Sequence, residues 1–144
     1  MKTKLIGLAI LVIMALCLNT GCKGSGFDFD INGEWEITIT YDCGAEFVVT
    51  ITFSGTTSSG DVYLNGMKLG SYSVSDKNVS FSYQTLEGAV TYYYDYTGEA
   101  KETDEMEGDI EQSFEQPLLN AALKSLPIKV PVSKGKWKGR KKKK

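Results

Sequence analysis

The chain has 144 residues, with 16 Lys and Arg against 18 Asp and Glu and a formal net charge of −2 at pH 7. That length allows one domain with a single core, and this balance of charge argues against a nucleic-acid binder. Histidine is absent, which removes the usual near-neutral general base and the commonest metal ligand together. Catalysis by histidine and metal sites that use histidine are therefore excluded.

The first 21 residues have the features of a bacterial export signal. A short basic start is followed by an uncharged apolar run, 5–18, which is shorter than the roughly 20 apolar residues of a membrane span. Thr20-Gly21-Cys22 comes next and resembles the lipobox of bacterial lipoproteins, in which the cysteine is diacylated and becomes the mature N-terminus. Asn19 departs from that motif, which usually has Leu, Val or Ile at this position. An ordinary cleaved signal with an incidental cysteine is the alternative.

The lipobox resemblance implies a palmitate-type acyl anchor on Cys22 and an exported protein held at the cell envelope. The segment 22–30, which is polar and contains glycine, would then be a tether to the domain. Lys23 stands where an Asp would retain such a protein at the inner membrane, so the outer membrane is the favoured location. Cys43 is the one cysteine within the predicted domain, and it is either an inert thiol or a partner for an intermolecular disulfide.

A strictly alternating stretch from Gly33 to Tyr41 predicts the first strand of the domain. Its apolar side chains share one parity and its Glu and Thr side chains share the other, so one face meets a core and the other meets water. The apolar members are Trp35, Ile37, Ile39 and Tyr41. Gly33 permits a tight entry into this strand and leaves room for the indole ring.

Short alternating segments separated by turn signals continue along the chain. Strands are predicted at 46–53, 61–65, 69–75, 79–84 and 89–96, at two positions within 99–114, and at 128–132 and 136–141. Asn65-Gly66 is the strongest hairpin signal, and Pro131 indicates an edge or a bulge. The segment 117–126 has helical spacing and is followed by Pro127.

About eight to nine short strands joined by sequential turns, with no long crossover, favour an all-β fold. We predict an up-and-down antiparallel meander barrel of about eight strands over 31–140, with one short helix late in the chain. A barrel of this size either holds one small ligand or is filled by its own side chains.

Four short motifs of this chain resemble the calycin group of proteins. They are Gly33-Glu34-Trp35, Tyr96-Thr97-Gly98, the segment 104–108 and the segment 135–140. Within that group, the pattern is most similar to the small lipocalin-like domains of bacterial lipoproteins, and it spans most of 31–140. The resemblance implies a β-barrel with one closed end.

The same resemblance implies roles for residues at that closed end. Gly33 and Trp35 would lie at the barrel floor, and Arg140 or Lys138 would cover the indole ring of Trp35 in a cation–π contact worth about 0.5–2 kcal/mol. We further expect Trp35 to be the core anchor, so that its loss destabilises the protein far more than loss of Trp137.

Six tyrosines fall on the predicted inward parity of their strands and are candidate ligand contacts. They are Tyr41, Tyr72, Tyr83, Tyr92, Tyr94 and Tyr96. Buried tyrosines offer apolar area and a hydroxyl that needs a partner, so a cavity lined by them suits a small amphipathic or aromatic molecule. The alternative is a filled core whose hydroxyls reach water or backbone at the rim.

Two charged stretches lie late in the chain. The carboxylates between 99 and 111 predict a solvated outer face, because no Asp-x-Asp-x-Asp-Gly calcium loop is present in the sequence. The basic end of the chain finishes in a predicted tail, 141–144, which consists of Lys141, Lys142, Lys143 and Lys144. This tail either contacts anionic lipid headgroups as a second anchor or only keeps the protein soluble.

The sequence shows no nucleophile–base pair, phosphate loop or metal-ligand spacing. The predicted function is therefore non-enzymatic and needs no cofactor or metal: a membrane-anchored exported lipoprotein whose barrel binds a small hydrophobic or aromatic ligand. The alternative is a filled barrel that serves as a structural or interaction module of the cell envelope. In both cases the expected partner is a membrane, reached through the N-terminal lipid.

Overall fold

A computed structural model describes residues 28–115 and 130–143 of the chain. Eight strands follow one another around a closed antiparallel barrel in which the last strand pairs with the first. They are β1 (Gly33–Tyr41), β2 (Glu46–Gly55), β3 (Ser59–Leu64), β4 (Met67–Ser75), β5 (Asn78–Glu87), β6 (Val90–Ala100), β7 (Glu105–Glu115) and β8 (Val130–Lys141). The all-β meander barrel predicted from the sequence is confirmed. The helix predicted at 117–126 lies outside the described residues.

The last strand differs from its prediction. Two short strands are predicted after residue 127, but the chain forms the single strand β8. The pairing of β8 with β7 shifts by one residue between Ser133 and Pro131, so Val132 has no partner of its own and forms a bulge. Because a bulge interrupts the ladder locally, the strand continues through Pro131, which has no N–H to donate.

The barrel has two distinct ends. At one end, called the floor, β1 begins and β8 finishes, so the chain enters and leaves the described domain on the same side. At the other end, called the mouth, β1 ends at Tyr41 and the hairpin between β3 and β4 turns through Asn65 and Gly66. Both turn residues have positive φ, 50° and 77°, which is the backbone that an Asn-Gly hairpin signal predicts.

Trp35 closes the floor from inside. Its side chain is fully buried, and its indole N–H donates to the carbonyl oxygen of Ile31 at 2.7 Å. Phe29 lies against the same ring, with the two ring centroids 5.9 Å apart. The segment 28–32, which precedes β1, therefore packs beneath the barrel, and the indole has both an apolar environment and a partner for its one donor.

The middle of the barrel is filled by interlocking rings. Phe81 stacks on Tyr96 with centroids 4.2 Å apart, and it makes edge contacts with Phe53 at 5.0 Å and Trp137 at 5.3 Å. Each such pair adds about 0.5–1.5 kcal/mol beyond the apolar area that it buries. This part of the interior is a packed core with no room for a ligand.

Trp137 belongs to that core as well, and its burial argues against the expectation that its loss destabilises the protein far less than loss of Trp35. Trp137 is 1% exposed, and its indole N–H points at the carbonyl oxygens of Asp109, at 3.0 Å, and Thr97, at 3.2 Å. Its ring occupies space left free by Gly98 of β6. A Cβ at Gly98 would lie 2.8 Å from the ring.

The two charged stretches meet on the outer face. Four acidic residues of β7 lie opposite basic residues of β8, and each of these pairs forms an ion pair: Glu105–Arg140, Glu107–Lys138, Asp109–Lys136 and Glu111–Lys134. Exposed pairs contribute about 0–1 kcal/mol each. These opposite-charge pairs favour the observed register of β8 on β7. A register that placed like charges directly opposite one another would be destabilising.

Candidate functional site

A cavity of about 340 Å³ opens at the mouth, and we call it the cup. Most of its wall is apolar or aromatic and comprises Ile39, Tyr41, Phe47, Val48, Val49, Leu64, Tyr83 and Tyr94. Its polar members are Thr85, Glu87 and Gln112. The aromatic core ends below these residues, so the cup is the upper part of the barrel interior.

The inward row of β5 shows how the sequence produces this change from core to cup. From floor to mouth the row reads Val79, Phe81, Tyr83, Thr85 and Glu87. The first three are buried, whereas Thr85 is half-buried and Glu87 is exposed. Polarity therefore increases along one strand face towards solvent, which produces an apolar pocket with a polar rim.

Larger concavities lie on the outer face, and they differ in character from the cup. One of about 650 Å³ is lined mainly by charged residues of the neighbouring strands, including Asp95, Asp109, Glu111, Lys134 and Lys136. Several of these are already engaged in the ion pairs between β7 and β8. Because ligand sites are typically apolar with a few convergent polar groups, we place the candidate site in the cup.

The six candidate tyrosines do not form one site. Three line the cup: Tyr41, Tyr83 and Tyr94. Two are buried in the filled part of the barrel: Tyr72 and Tyr96. Tyr92 lies outside the cup wall, with its ring centroid 6.4 Å from that of Phe114. The structure therefore combines the two alternatives, a filled core below and an open cavity above.

Hydrogen bonds explain why Tyr72 and Tyr96 are core residues. The Tyr72 hydroxyl donates to the carbonyl oxygen of Thr56 at 2.5 Å, which ties β4 to the loop between β2 and β3 at the floor. The hydroxyls of Tyr96 and Tyr83 bond one another at 3.1 Å within the barrel. Tyr83 therefore joins the core to the cup, because its ring also stacks on Tyr94 at 4.8 Å.

The phenols of the cup are neutral at physiological pH. Burial raises the pKa of Tyr83 to about 12, and burial also raises the pKa of Tyr41 and of Tyr94. The carboxylate of Glu87 raises the pKa of Tyr94 further, while the neighbouring Thr85 hydroxyl opposes the rise. The cup thus presents hydroxyl dipoles rather than phenolate charges.

Three polar residues of the cup are absent from the predicted site. Thr85 and Glu87 continue the inward alternation of Val79, Phe81 and Tyr83, but the predicted strand ends at Gln84, so they are missed. Extending that alternation by three residues finds both. The hydroxyl oxygen of Thr85 is buried and has no hydrogen-bond partner within ordinary geometry among the described residues. The third, Gln112, directs its amide nitrogen to the Tyr94 hydroxyl at 3.5 Å.

At the floor, the cation over Trp35 is Lys141, and neither Arg140 nor Lys138 covers the ring. The Lys141 ammonium lies 5.8 Å from the ring centroid and donates to the carbonyl oxygen of Asp30 at 2.7 Å. Arg140 and Lys138 have the opposite parity on β8, so they point outwards to carboxylates of β7. Gly33, with φ of 122°, leaves room for the Lys141 stem, because a Cβ there would lie 3.1 Å from its Cε.

We expect Lys141→Met to destabilise the protein by about 1–2 kcal/mol, because it removes a cation–π contact and a charged hydrogen bond. The matched variant, Arg140→Met, breaks one exposed ion pair with Glu105 and is expected to cost about 0.5 kcal/mol or less. Urea unfolding midpoints of the two variants measure the difference. A larger loss for Arg140→Met would contradict the assignment of Lys141 to the floor and of Arg140 to the outer face.

The predicted tail also begins later than residue 141. Lys141 lies within β8, and the backbone N–H of Lys142 donates to the carbonyl oxygen of Glu34 while its ammonium pairs with the Glu34 carboxylate at 2.7 Å. Lys143 is exposed. Cys22 and Lys144 lie outside the described residues.

Within 28–115 and 130–143, no three His, Cys, Asp or Glu side chains come together to hold a metal ion. Cys43 is exposed and forms no disulfide. No helix among these residues has the length and apolar character that a membrane crossing requires.

Comparisons with known proteins add little to this geometry. No protein-family model matches the chain, and no curated protein matches it. Among solved structures, the chain is similar to a redesigned β-barrel, with 12% sequence identity and a TM-score of 0.31, over 79% of this chain and 92% of that one. The cup, the filled core and the floor contacts of this chain therefore carry the functional argument.

Proposed function

We propose that this protein is an exported, lipid-anchored barrel that binds a small hydrophobic or aromatic molecule in the cup. The cup itself carries the proposal. Its wall is dominated by aromatic and aliphatic side chains, and its few polar groups lie towards the rim. Pockets of about 300–1,000 Å³ with this composition are typical of small-molecule sites. The proposal involves no catalytic step, cofactor or metal.

The aromatic residues of the cup are held in place by contacts that do not require a ligand. Tyr83 is fixed by its stack on Tyr94 and its hydrogen bond to Tyr96, and the Tyr41 ring meets Phe47 edge-on with centroids 5.9 Å apart. A wall that is already ordered loses little side-chain entropy when a ligand binds. The cup is thus suited to bind an apolar molecule of fitting size.

Filling the cup tests the proposal. The neutral fluorescent probe phenylnaphthylamine, excited outside the tryptophan band, is expected to bind saturably with one site per chain. Val49→Trp places a large ring in the cup and is expected to weaken binding by about tenfold or more, equivalent to about 1.4 kcal/mol.

The matched control is Thr57→Trp, in the exposed loop between β2 and β3 at the floor. It introduces the same ring outside the cup and is expected to leave probe binding unchanged. Absence of saturable binding to the wild-type chain, or equal binding by both variants, would contradict a ligand site in the cup.

The lipid anchor is a separate part of the proposal, and it rests on the lipobox resemblance at Cys22. Mass spectrometry of the mature protein is expected to show a diacylated cysteine at its N-terminus. Cys22→Ala is expected to release the protein from the membrane fraction. An unmodified, soluble wild-type protein would argue instead for an ordinary cleaved signal.

The lysines after β8 provide a proposed second contact, with anionic lipid headgroups. β8 ends at the floor, where β1 also begins, so both contacts would face one membrane. Lys141 and Lys142 are already engaged by Asp30 and Glu34, which makes Lys143 and Lys144 the main candidates. Two weak attachments on the same side hold a protein more firmly than either alone.

A structural or interaction module remains the second candidate function. The observation in its favour is the packed aromatic core, which fills the barrel from the floor up to Tyr83 and Tyr96. Such a core needs no ligand for stability. If the wild-type chain does not bind the neutral probe, the outer face becomes the surface to examine.

A further inference from the structure

Glu87 is the only charged side chain among the residues that line the cup. It is the last member of the inward row of β5, so it lies at the rim where the cup meets solvent. Its carboxylate is close enough to the Tyr94 hydroxyl to raise the pKa of that phenol. The carboxylate therefore acts on the interior of the cup as well as on the surface.

No lysine or arginine among the described residues forms an ion pair with Glu87 or lines the cup. The two basic residues nearest to this end of the described barrel are engaged elsewhere. Lys68 pairs with Asp61 at 2.9 Å, and Lys134 pairs with Glu111 at 3.2 Å. Two further carboxylates, Asp42 and Glu46, flank the turn between β1 and β2 at the mouth. The described rim is thus electronegative.

The aromatic wall of the cup also attracts positive charge. Tyr41, Phe47, Tyr83 and Tyr94 line one small cavity, and the face of an aromatic ring carries negative potential. A cation over such a face gains about 0.5–2 kcal/mol, depending on how far it is removed from water. The phenols stay neutral because burial raises their pKa values, so their rings and hydroxyl oxygens interact with a cation as dipoles.

The unpartnered hydroxyl oxygen of Thr85 is the third observation. It lies between Tyr83 and Glu87 on the inward row of β5, where it is buried without a hydrogen-bond partner among the described residues, so a ligand N–H brought to it would satisfy its acceptor. Burying an ammonium group without partners is costly. Here a carboxylate, a hydroxyl and several ring faces are available together at the top of the cup.

We propose that the cup takes an amphipathic organic cation, in which an apolar or aromatic body enters the barrel and a protonated amine or quaternary ammonium lies at the rim beside Glu87. This inference rests on the proposed function and narrows it to one class of ligand. The apolar body contacts Ile39, Val49 and Leu64. The charged end contacts Glu87, Thr85 and the ring faces of Tyr41 and Tyr94.

Three probes with one skeleton and different charge test the ligand class: phenylbutylamine, phenylbutanol and phenylbutyrate. Their affinities for the purified chain are measured by calorimetric titration at pH 7. The amine is expected to bind about five- to tenfold more tightly than the alcohol, which is the range of about 1–1.4 kcal/mol for one partly solvated charge pair with a cation–π contribution. The carboxylate is expected to bind most weakly.

Glu87→Gln is expected to remove most of the advantage in affinity that the amine has over the alcohol. The matched control is Asp76→Asn, which makes the same change in net charge in the turn between β4 and β5 at the floor. Asp76 has φ of 55°, a backbone that Asn adopts readily, so this variant is expected to fold and bind all three probes like the wild type. A control that lowered amine binding as much as Glu87→Gln would reduce the effect to net charge and overturn the proposal.

Two further outcomes separate the inference from the function on which it rests. Equal binding of the amine and the alcohol, or an amine advantage that survives Glu87→Gln, overturns the cation preference and leaves a hydrophobic cup. Failure of all three probes to bind overturns ligand binding in the cup itself. An amine advantage that falls as ionic strength rises supports the proposed pairing at the rim.

Discussion

Trp137→Ala and Trp35→Ala are each expected to lower the free energy of unfolding by about 3–5 kcal/mol, which is a large part of the stability of a small domain. Both indoles are almost completely buried, at 1% and 0% exposure, and each donates its N–H to backbone carbonyl oxygens. Truncation therefore leaves a cavity and, in addition, carbonyl groups that have lost a donor. Urea midpoints and slopes measure the loss.

An exposed aromatic residue is the control for this pair. Phe47 is 57% exposed at the mouth, so Phe47→Ala is expected to cost less than about 1 kcal/mol. A small effect of Trp137→Ala beside a large effect of Trp35→Ala would restore the unequal roles expected from the sequence. It would also imply that the ring cluster around Phe81 contributes less than its geometry indicates.

Gly98→Ala is expected to destabilise the protein by about 3 kcal/mol, the upper end of the usual range for overpacking. A Cβ at this position would collide with the backbone carbonyl of Glu107 on the neighbouring strand and lie 2.8 Å from the Trp137 ring. Neither obstacle is the free end of a flexible side chain. Relief therefore requires β6 and β7 to separate or the indole to move.

Gly139→Ala is the matched comparison, because it adds the same methyl group to a buried glycine of β8. The new Cβ would lie 2.7 Å from the Cδ1 atom of Ile37 and 3.1 Å from the Cγ atom of Met106, and both side chains can change rotamer. The expected cost is about 1 kcal/mol. Denaturant midpoints of the two variants decide the order, and an equal loss at both sites would show that the strands accommodate a methyl group at Gly98.

Alternation along the sequence was sufficient to predict the barrel and the facing of most side chains. The first strand has the predicted bounds, Gly33–Tyr41, because its alternation is strict and both ends have turn or entry signals. The inward parity of the tyrosines follows from the same local rule. Parity does not report whether the space inside is full, since that depends on the summed volumes of side chains from eight strands.

The wrong predictions have two causes. The alternation along a strand was followed for too few residues, or the role of a side chain depends on a contact with residues distant in sequence. The predicted strand that ends at Gln84 omits Thr85 and Glu87, although their parity continues unchanged. Lys141 differs from Arg140 by one residue, and that single step moves a cation from the outer face to the floor. The burial of Trp137 depends on Gly98, about 40 residues away, which no pattern within β8 reveals.

The floor is the end at which the chain both enters and leaves the barrel, and this has a consequence for access. If Cys22 is acylated, six residue steps join it to Asp28, and an extended chain of that length spans at most about 20 Å. The floor would then lie close to the bilayer. Strands of about ten residues, tilted as in small barrels, place the mouth roughly 25 Å farther out. A ligand would therefore enter the cup from the aqueous compartment, and its exchange would depend on concentration there rather than on partitioning into the membrane.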